Sequence, residues 1–225
     1  MCGRFTLTTE DQEFLIRELG VAIVEEFVDY RPRFNIAPTD EHWIVRMKRE
    51  DRELLHAKWG LVNSWSKDAK QAARQINARA ERVAESPAFR GAFEERRCIV
   101  PADGYFEWVG AKTDRRPVWF HRGDGGLLLF AGLYESWQRE PGTWQRTFTI
   151  ITTDANETAA RVHDRMPVIL DPGRVDDWLA PNTKPQILRE MLSPAPEGLL
   201  VPSYVSTRAN SVKNDDPGVL EPAML

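Results

Sequence analysis

The hydrophobic pattern of this chain is written mainly in a period of two, with helical spacing confined to short pieces. Trp43, Val45 and Met47 alternate with polar neighbours, the pattern of a half-buried strand. Arg49-Glu50-Asp51 reads as a turn into a second strand through Leu55, Ala57 and Trp59. From Cys98 to Thr153 the chain reads as a meander of strands. Its turns fall near Gly110-Ala111-Lys112, Gly123-Asp124-Gly125-Gly126 and Glu140-Pro141-Gly142. Thr9-x-x-Gln12 has the form of a capping box, followed by a helical stripe of Phe14, Leu15 and Leu19 that stops at Gly20. Ser86-Pro87 offers an N-cap and first-turn pair for a short helix carrying Phe89 and Phe93. Asp154-x-x-Glu157 opens a helix pattern before His163, and two more fall around Val175–Leu179 and Gln186–Leu192, separated by prolines. Lys67–Ala73 is charged and helix-like without a motif. Many strands with a few short helices predict an α+β fold: one domain over residues 1–225 with a mainly antiparallel, barrel-like sheet.

Composition narrows the partners. The 225 residues carry a net charge of −4, which argues against a generally basic nucleic-acid binder but leaves room for a local arginine groove. Eight tryptophans are available for the core or as flat surfaces for nucleobases. No apolar signal segment precedes Cys2, so the two cysteines, Cys2 and Cys98, are expected as free thiols in a reducing cytoplasm. No apolar run approaches the ~18 residues of a membrane span. The four histidines lack zinc spacing, so neither metal nor cofactor is expected.

The first residues, Met1-Cys2-Gly3-Arg4-Phe5, carry the most distinctive chemistry. Removal of Met1 would leave Cys2 with a free α-amine beside its thiol. The reference pKa values are about 7.7–8.0 and 8.5, so both groups are partly nucleophilic near neutral pH. An aldehyde can form a Schiff base with such a pair and close to a thiazolidine. Glu107 lies in the aromatic strand Gly104-Tyr105-Phe106-Glu107-Trp108, on the face shared by Tyr105 and Val109. Desolvation there would raise its pKa toward the range of general acid–base work. Read alone, these residues have plainer alternatives: Cys2 in a frayed terminus, Glu107 on an exposed edge, His163 as a structural histidine, Asn77 in a turn and Arg79 on the surface. Cys98, in an apolar run, reads as a buried structural cysteine.

Taken in order, the motifs resemble the SOS-response-associated peptidase (SRAP) family of abasic-site processing proteins. The matching pieces are Cys2-Gly3-Arg4-Phe5, Arg33-Phe34-Asn35-Ile36-Ala37-Pro38, Trp59-Gly60-Leu61, Asn77-Ala78-Arg79-Ala80-Glu81, Arg97-Cys98-Ile99-Val100-Pro101, Gly104 to Trp108, His163-Asp164-Arg165-Met166-Pro167 and Asn210-Ser211-Val212-Lys213-Asn214. They run in order over essentially the whole chain. The resemblance implies capture of the ring-opened sugar aldehyde of an abasic site in single-stranded DNA by Cys2, as a thiazolidine crosslink. It further implies Glu107 as proton shuttle, His163 as its assistant at the sugar or its phosphate, and Asn77 as holder of the amine or a sugar hydroxyl. Arg4 and Arg79 would grip phosphates, with Arg161 and Arg165 on the same wall; Trp65 and Trp108 would stack on bases, and Pro38 would wedge between them. A monomer working in the cytoplasm, on the nucleoid when bound to DNA, is expected. Two other readings use the same residues: a hydrolytic or autoproteolytic Cys2, and a single-strand DNA-binding module without a covalent step.

Overall fold

The computed structural model describes residues 2–24, 30–70, 72–111 and 113–223. Among these the strands are β1 (Phe5–Leu7), β2 (Ile23–Val24), β3 (Arg33–Ile36), β4 (Glu41–Lys48), β5 (Asp51–Trp59), β6 (Asn77–Arg79), β7 (Arg97–Ala102), β8 (Gly104–Val109), β9 (Arg116–Arg122), β10 (Leu128–Glu140), β11 (Thr143–Asp154), β12 (Arg165–Pro167) and β13 (Leu200–Tyr204). The helices are α1 (Gln12–Glu18), α2 (Arg90–Glu95), α3 (Glu157–Ala160), α4 (Val175–Leu179) and α5 (Pro185–Glu190).

Five strands close on themselves. β7 joins β4 with Ile99 opposite Val45, and β4 joins β5 with Val45 opposite Leu54. β5 joins β11 in parallel with Trp59 opposite Phe148. β11 returns through β10, Ile150 opposite Gly132, to β7, Phe130 opposite Val100. A second sheet, in the order β13-β9-β8-β1-β3, carries the amino terminus. The barrel-like α+β expectation therefore holds, with one addition: the segment from Cys98 to Thr153 divides between two sheets. β7, β10 and β11 belong to the barrel, while β8 and β9 form a hairpin in the second sheet. Asp103 is the one-residue corner between β7 and β8, and its carboxylate binds Thr6 Oγ1 at 2.5 Å and Thr8 Oγ1 at 2.6 Å. Gly104 follows because a Cβ there would lie 2.0 Å from Trp119 Nε1.

Phe5 ties the two layers together. Its ring meets His42 at 4.8 Å, Trp59 at 5.0 Å and Phe130 at 6.1 Å, all edge-on, a favoured geometry for aromatic pairs. It is fully buried, so the chain three residues after Cys2 is fixed rather than frayed.

Several helix starts differ from the sequence reading. Asp11, not Thr9, caps α1, its Oδ1 accepting from Phe14 N at 2.8 Å. Ser86-Pro87 forms a turn ahead of α2, where the Ser86 carbonyl accepts from the Phe89 and Arg90 amides. Asn156 caps α3, because Asp154 still belongs to β11. Around Lys67–Ala73 the described residues form bends, with a 3-10 turn only at Ala72–Arg74; Gln71 lies outside the described residues, as does Lys112 of the first expected turn. β4 is buried on both faces from His42 to Val45, since it lies between the barrel interior and its covering elements.

Candidate active site at the amino terminus

β1 pairs antiparallel with β8, Phe5 opposite Tyr105, and the Phe106 amide donates to the Arg4 carbonyl at 3.0 Å. Extending that register brings Gly3 across from Glu107 and delivers Cys2 beside it. Cys2 is fully buried, and its Sγ lies 3.8 Å from the Arg4 carbonyl oxygen. Burial pushes the Cys2 thiol up, and the negative field of Glu107 pushes it further. The sulfur is therefore held as a thiol that needs a base before it can attack.

Glu107 is 4% exposed, and burial raises its pKa above 4.5, opposed by the charge of His163 among others. Tyr105 shares its face of β8, as alternation requires. The Tyr105 hydroxyl is buried without a hydrogen-bond partner among the described residues, and burial and then the Cys2 thiol raise its pKa. Tyr105 thus belongs to the cluster, although sequence reading gave it no role; its spacing from Glu107 was the available signal.

His163 follows α3. Its Nδ1 accepts from the Arg165 amide at 3.0 Å and lies 2.9 Å from the Asp164 carboxylate, which fixes the ring in the turn leading to β12. Asn77 begins β6, which runs parallel to β11 with Asn77 opposite Ile150. β12 pairs with the same end of β11, at Thr152 to Asp154, so Asn77 and the His163 turn are organised by one strand. Both atoms of the Asn77 amide are buried without a hydrogen-bond partner among the described residues. Such a group costs about 1–3 kcal/mol unless a ligand or water satisfies it. Asn77 and Arg79 line one groove of about 540 Å³ with Arg82, Ser86 and Phe89.

The residues expected from the sequence to meet DNA fall into different classes. Arg79 and Arg161 are exposed. Trp65 is 63% exposed: its turn is pinned from below, where Trp137 Nε1 donates to the Ser66 carbonyl at 2.7 Å. Pro38 is half-buried in a turn closed by the Asp40 amide on the Ala37 carbonyl, next to Thr39 at φ +77°. Arg4 is half-buried, and its Nη1 donates to Asn35 Oδ1 at 2.8 Å and the Ala209 carbonyl at 3.0 Å. Its guanidinium lies 5.7 Å from the Trp108 ring, and Arg115 lies 5.4 Å from the same ring. Trp108 also donates from Nε1 to Asn210 at 2.7 Å, so a long-range frame holds this indole. Arg115, in a loop with no sequence signal, was missed.

Arg165 departs from the expected phosphate wall. It is buried, with Nη1 at 2.7 Å from Glu81 and 2.6 Å from Asp154, and Nη2 donating to the Thr152 carbonyl at 2.7 Å. Its charge is committed to two carboxylates, and its evident work is to lock β12 to β11. Asn35 likewise serves the frame: its Nδ2 donates to the Ser211 carbonyl at 3.0 Å and the Asn214 carbonyl at 2.8 Å. Among the described residues no group of three or more histidine, cysteine, aspartate or glutamate side chains could hold a metal, and no helix is long and apolar enough to cross a membrane.

Among the described residues, a buried cysteine close to the chain start and a buried carboxyl, Cys2 and Glu107, lie on the sheet that packs against the closed barrel. The family model for the SOS response associated peptidase (SRAP) matches residues 1–212, and the chain belongs to that family. It is 38% identical to the abasic site processing protein YoqW of Bacillus subtilis over 98% of this chain and 99% of that one. It is 30% identical to the abasic site processing protein HMCES of Gallus gallus, over 87% of this chain and 68% of that protein. The crystal structure of a Bacteroides thetaiotaomicron protein shares the fold, with a TM-score of 0.87 at 24% identity, covering 99% of this chain and all of the other.

Proposed function

We propose that this protein processes abasic sites in single-stranded DNA by covalent capture through Cys2. The observation that carries the reading is the burial of Cys2 and Glu107 together, close enough for the carboxylate to raise the thiol's pKa, while burial raises that of the carboxyl. The names of the relatives YoqW and HMCES support the substrate.

The reaction follows from these groups. Once Met1 is removed, the Cys2 amine adds to the C1′ aldehyde of the ring-opened sugar, giving a carbinolamine. Protonated Glu107 donates to the departing hydroxyl; water leaves and a Schiff base remains. The carboxylate so formed accepts the proton of the Cys2 thiol, which burial has kept protonated, and the sulfur closes on the imine carbon. One aldehyde and one aminothiol give one thiazolidine and one water. His163 tunes the acid through its charge and stands beside it at the sugar. The unsatisfied Asn77 amide can accept from and donate to the amine or a sugar hydroxyl. Arg79 and Arg161 supply exposed cations for phosphates, and Trp65 a stacking surface indifferent to sequence, suited to damage that arises anywhere.

The test is Cys2→Ala with an abasic single-stranded oligonucleotide. Loss of the adduct that survives denaturation is expected, with non-covalent binding retained. An undiminished adduct would overturn the mechanism.

A further inference from the structure

We propose that a groove bounded by the β10–β11 hairpin is a second binding site for single-stranded DNA, taking a phosphate and a base from a segment away from the reacting sugar. The groove has a volume of about 580 Å³ and is walled by β4, β5, β10 and β11, with Arg46, His56, Arg139, Trp144 and Arg146 contributing. That is within the usual size of a small-ligand site. The lining carries three guanidiniums, of which Arg46 is paired with Glu53, and one carboxylate, Glu41, in a protein whose net charge is −4. Positive charge is thus concentrated locally against the charge of the whole, as a polyanion requires.

One wall is preorganised. Arg46 Nη2 lies 2.7 Å from Glu53, and its guanidinium is 5.3 Å from the Tyr134 ring. Lys48 shares Glu53 at 2.5 Å, so two cations rest on one carboxylate. The His56 ring lies against Trp43 with centroids 3.6 Å apart. The other wall is open: Arg139 is exposed and Trp144 is 62% exposed. An outward indole beside arginines is the combination by which single strands are held, the ring stacking on a base and the guanidinium meeting the backbone. Arg146 stands four residues before Ile150, the partner of Asn77, about 13 Å along β11 at the rise of a strand. A ligand in the groove is therefore not the sugar captured at Cys2. The assignment rests on the reading of the chain as a single-strand DNA binder for the identity of its ligand, but not on the covalent step.

The experiment compares the protein with its Arg139→Glu and Trp144→Ala variants. It measures fluorescence anisotropy on unmodified oligothymidylates of two lengths, roughly 6 and 30 nucleotides, and adduct yield on a short abasic oligonucleotide. Each variant should lose about fivefold or more in affinity for the long strand, in line with ~1–3 kcal/mol for a stacked base. Arg139→Glu should also reduce the salt slope by about 1 or more, while Arg139→Lys retains it. Short-strand affinity and adduct yield should be unchanged. Equal long-strand affinity in both variants would overturn the proposal. So would tryptophan quenching by thymidine monophosphate that Trp144→Ala abolishes while long-strand affinity stays intact, since the groove would then serve a small nucleotide. Absence of any adduct with the unmodified protein would instead count against the Cys2 chemistry and leave the affinity comparison readable.

Discussion

Asn35 and Asn77 carry the same amide into two regions of the molecule and meet opposite surroundings. Asn35 is 1% exposed; its oxygen accepts from Arg4, and its nitrogen donates to the carbonyls of Ser211 and Asn214. Beside it, Asp215 accepts from the Phe34 and Asn35 amides at 2.6 and 3.0 Å and pairs with Arg33. The region is a closed polar clasp between the β3 loop and the chain's carboxyl-terminal segment. Asn77 has both amide atoms buried without a partner among the described residues, near Arg79 and on the strand system that also positions His163. Satisfied polar groups hold a fold together; an unsatisfied one that persists marks where a ligand completes the structure. The same contrast separates Arg165, tied to Glu81 and Asp154, from exposed Arg79.

The contrast can be broken most forcefully at Glu107. Glu107→Gln should slow adduct formation by roughly 10²–10⁴-fold, the usual contribution of a positioned acid–base group, with non-covalent DNA binding largely intact. The same variant carries a stability sign. Burial raises the Glu107 pKa above 4.5, so the folded protein binds the extra proton between that value and the raised one. Stability attributable to this group is full below the unfolded pKa and lost as pH rises through the folded pKa. Glu107→Gln should therefore gain stability relative to the parent at neutral pH and match it below about pH 4, read by thermal melts across pH. A neutral-pH loss of stability, or loss of DNA binding, would recast Glu107 as structural.

Asn77→Ala should lower the adduct rate by about 10–100-fold, the worth of roughly 1.4–2.8 kcal/mol of lost hydrogen bonding to the reacting groups. It should leave thermal stability unchanged or slightly raised, because no internal partner is stranded. Asn35→Ala should do the reverse. It strands the Ser211 and Asn214 carbonyls, and should cost about 1–3 kcal/mol of stability in a denaturant titration, with a smaller effect on adduct rate in the folded population. If the two variants exchanged these signatures, the division into clasp and site would fail.

How much of this was legible in the sequence depends on the range of the interaction. Strand periods, the turn near Gly123 and α4 were readable, because alternation and turn chemistry are local. Cap positions slipped by two or three residues at Thr9, Ser86 and Asp154. Near Thr9 and Asp154 a second polar residue, Asp11 or Asn156, caps the helix instead, whereas Phe89 precedes α2 with no side-chain cap. The division of the 98–153 segment between two sheets was not legible, since a period of two does not say which sheet a strand joins. Cys2, Asn77, Glu107 and His163 were singled out by motif, and the structure buries Glu107, where its strand alone left an exposed edge open. Arg165 was misplaced because its partner Glu81 lies 84 residues away, and no spacing rule reaches that far. The clasp at Asn35 depends in the same way on contacts with Ala209 to Asp215.

The central claim is that Cys2 acts as an amine and a thiol together, and intact-mass measurement after incubation with an abasic single-stranded oligonucleotide tests it directly. The expected species is the chain without Met1 plus the oligonucleotide minus one water, absent with Cys2→Ala. An adduct on protein that still carries Met1, or one that persists in Cys2→Ala, would contradict it.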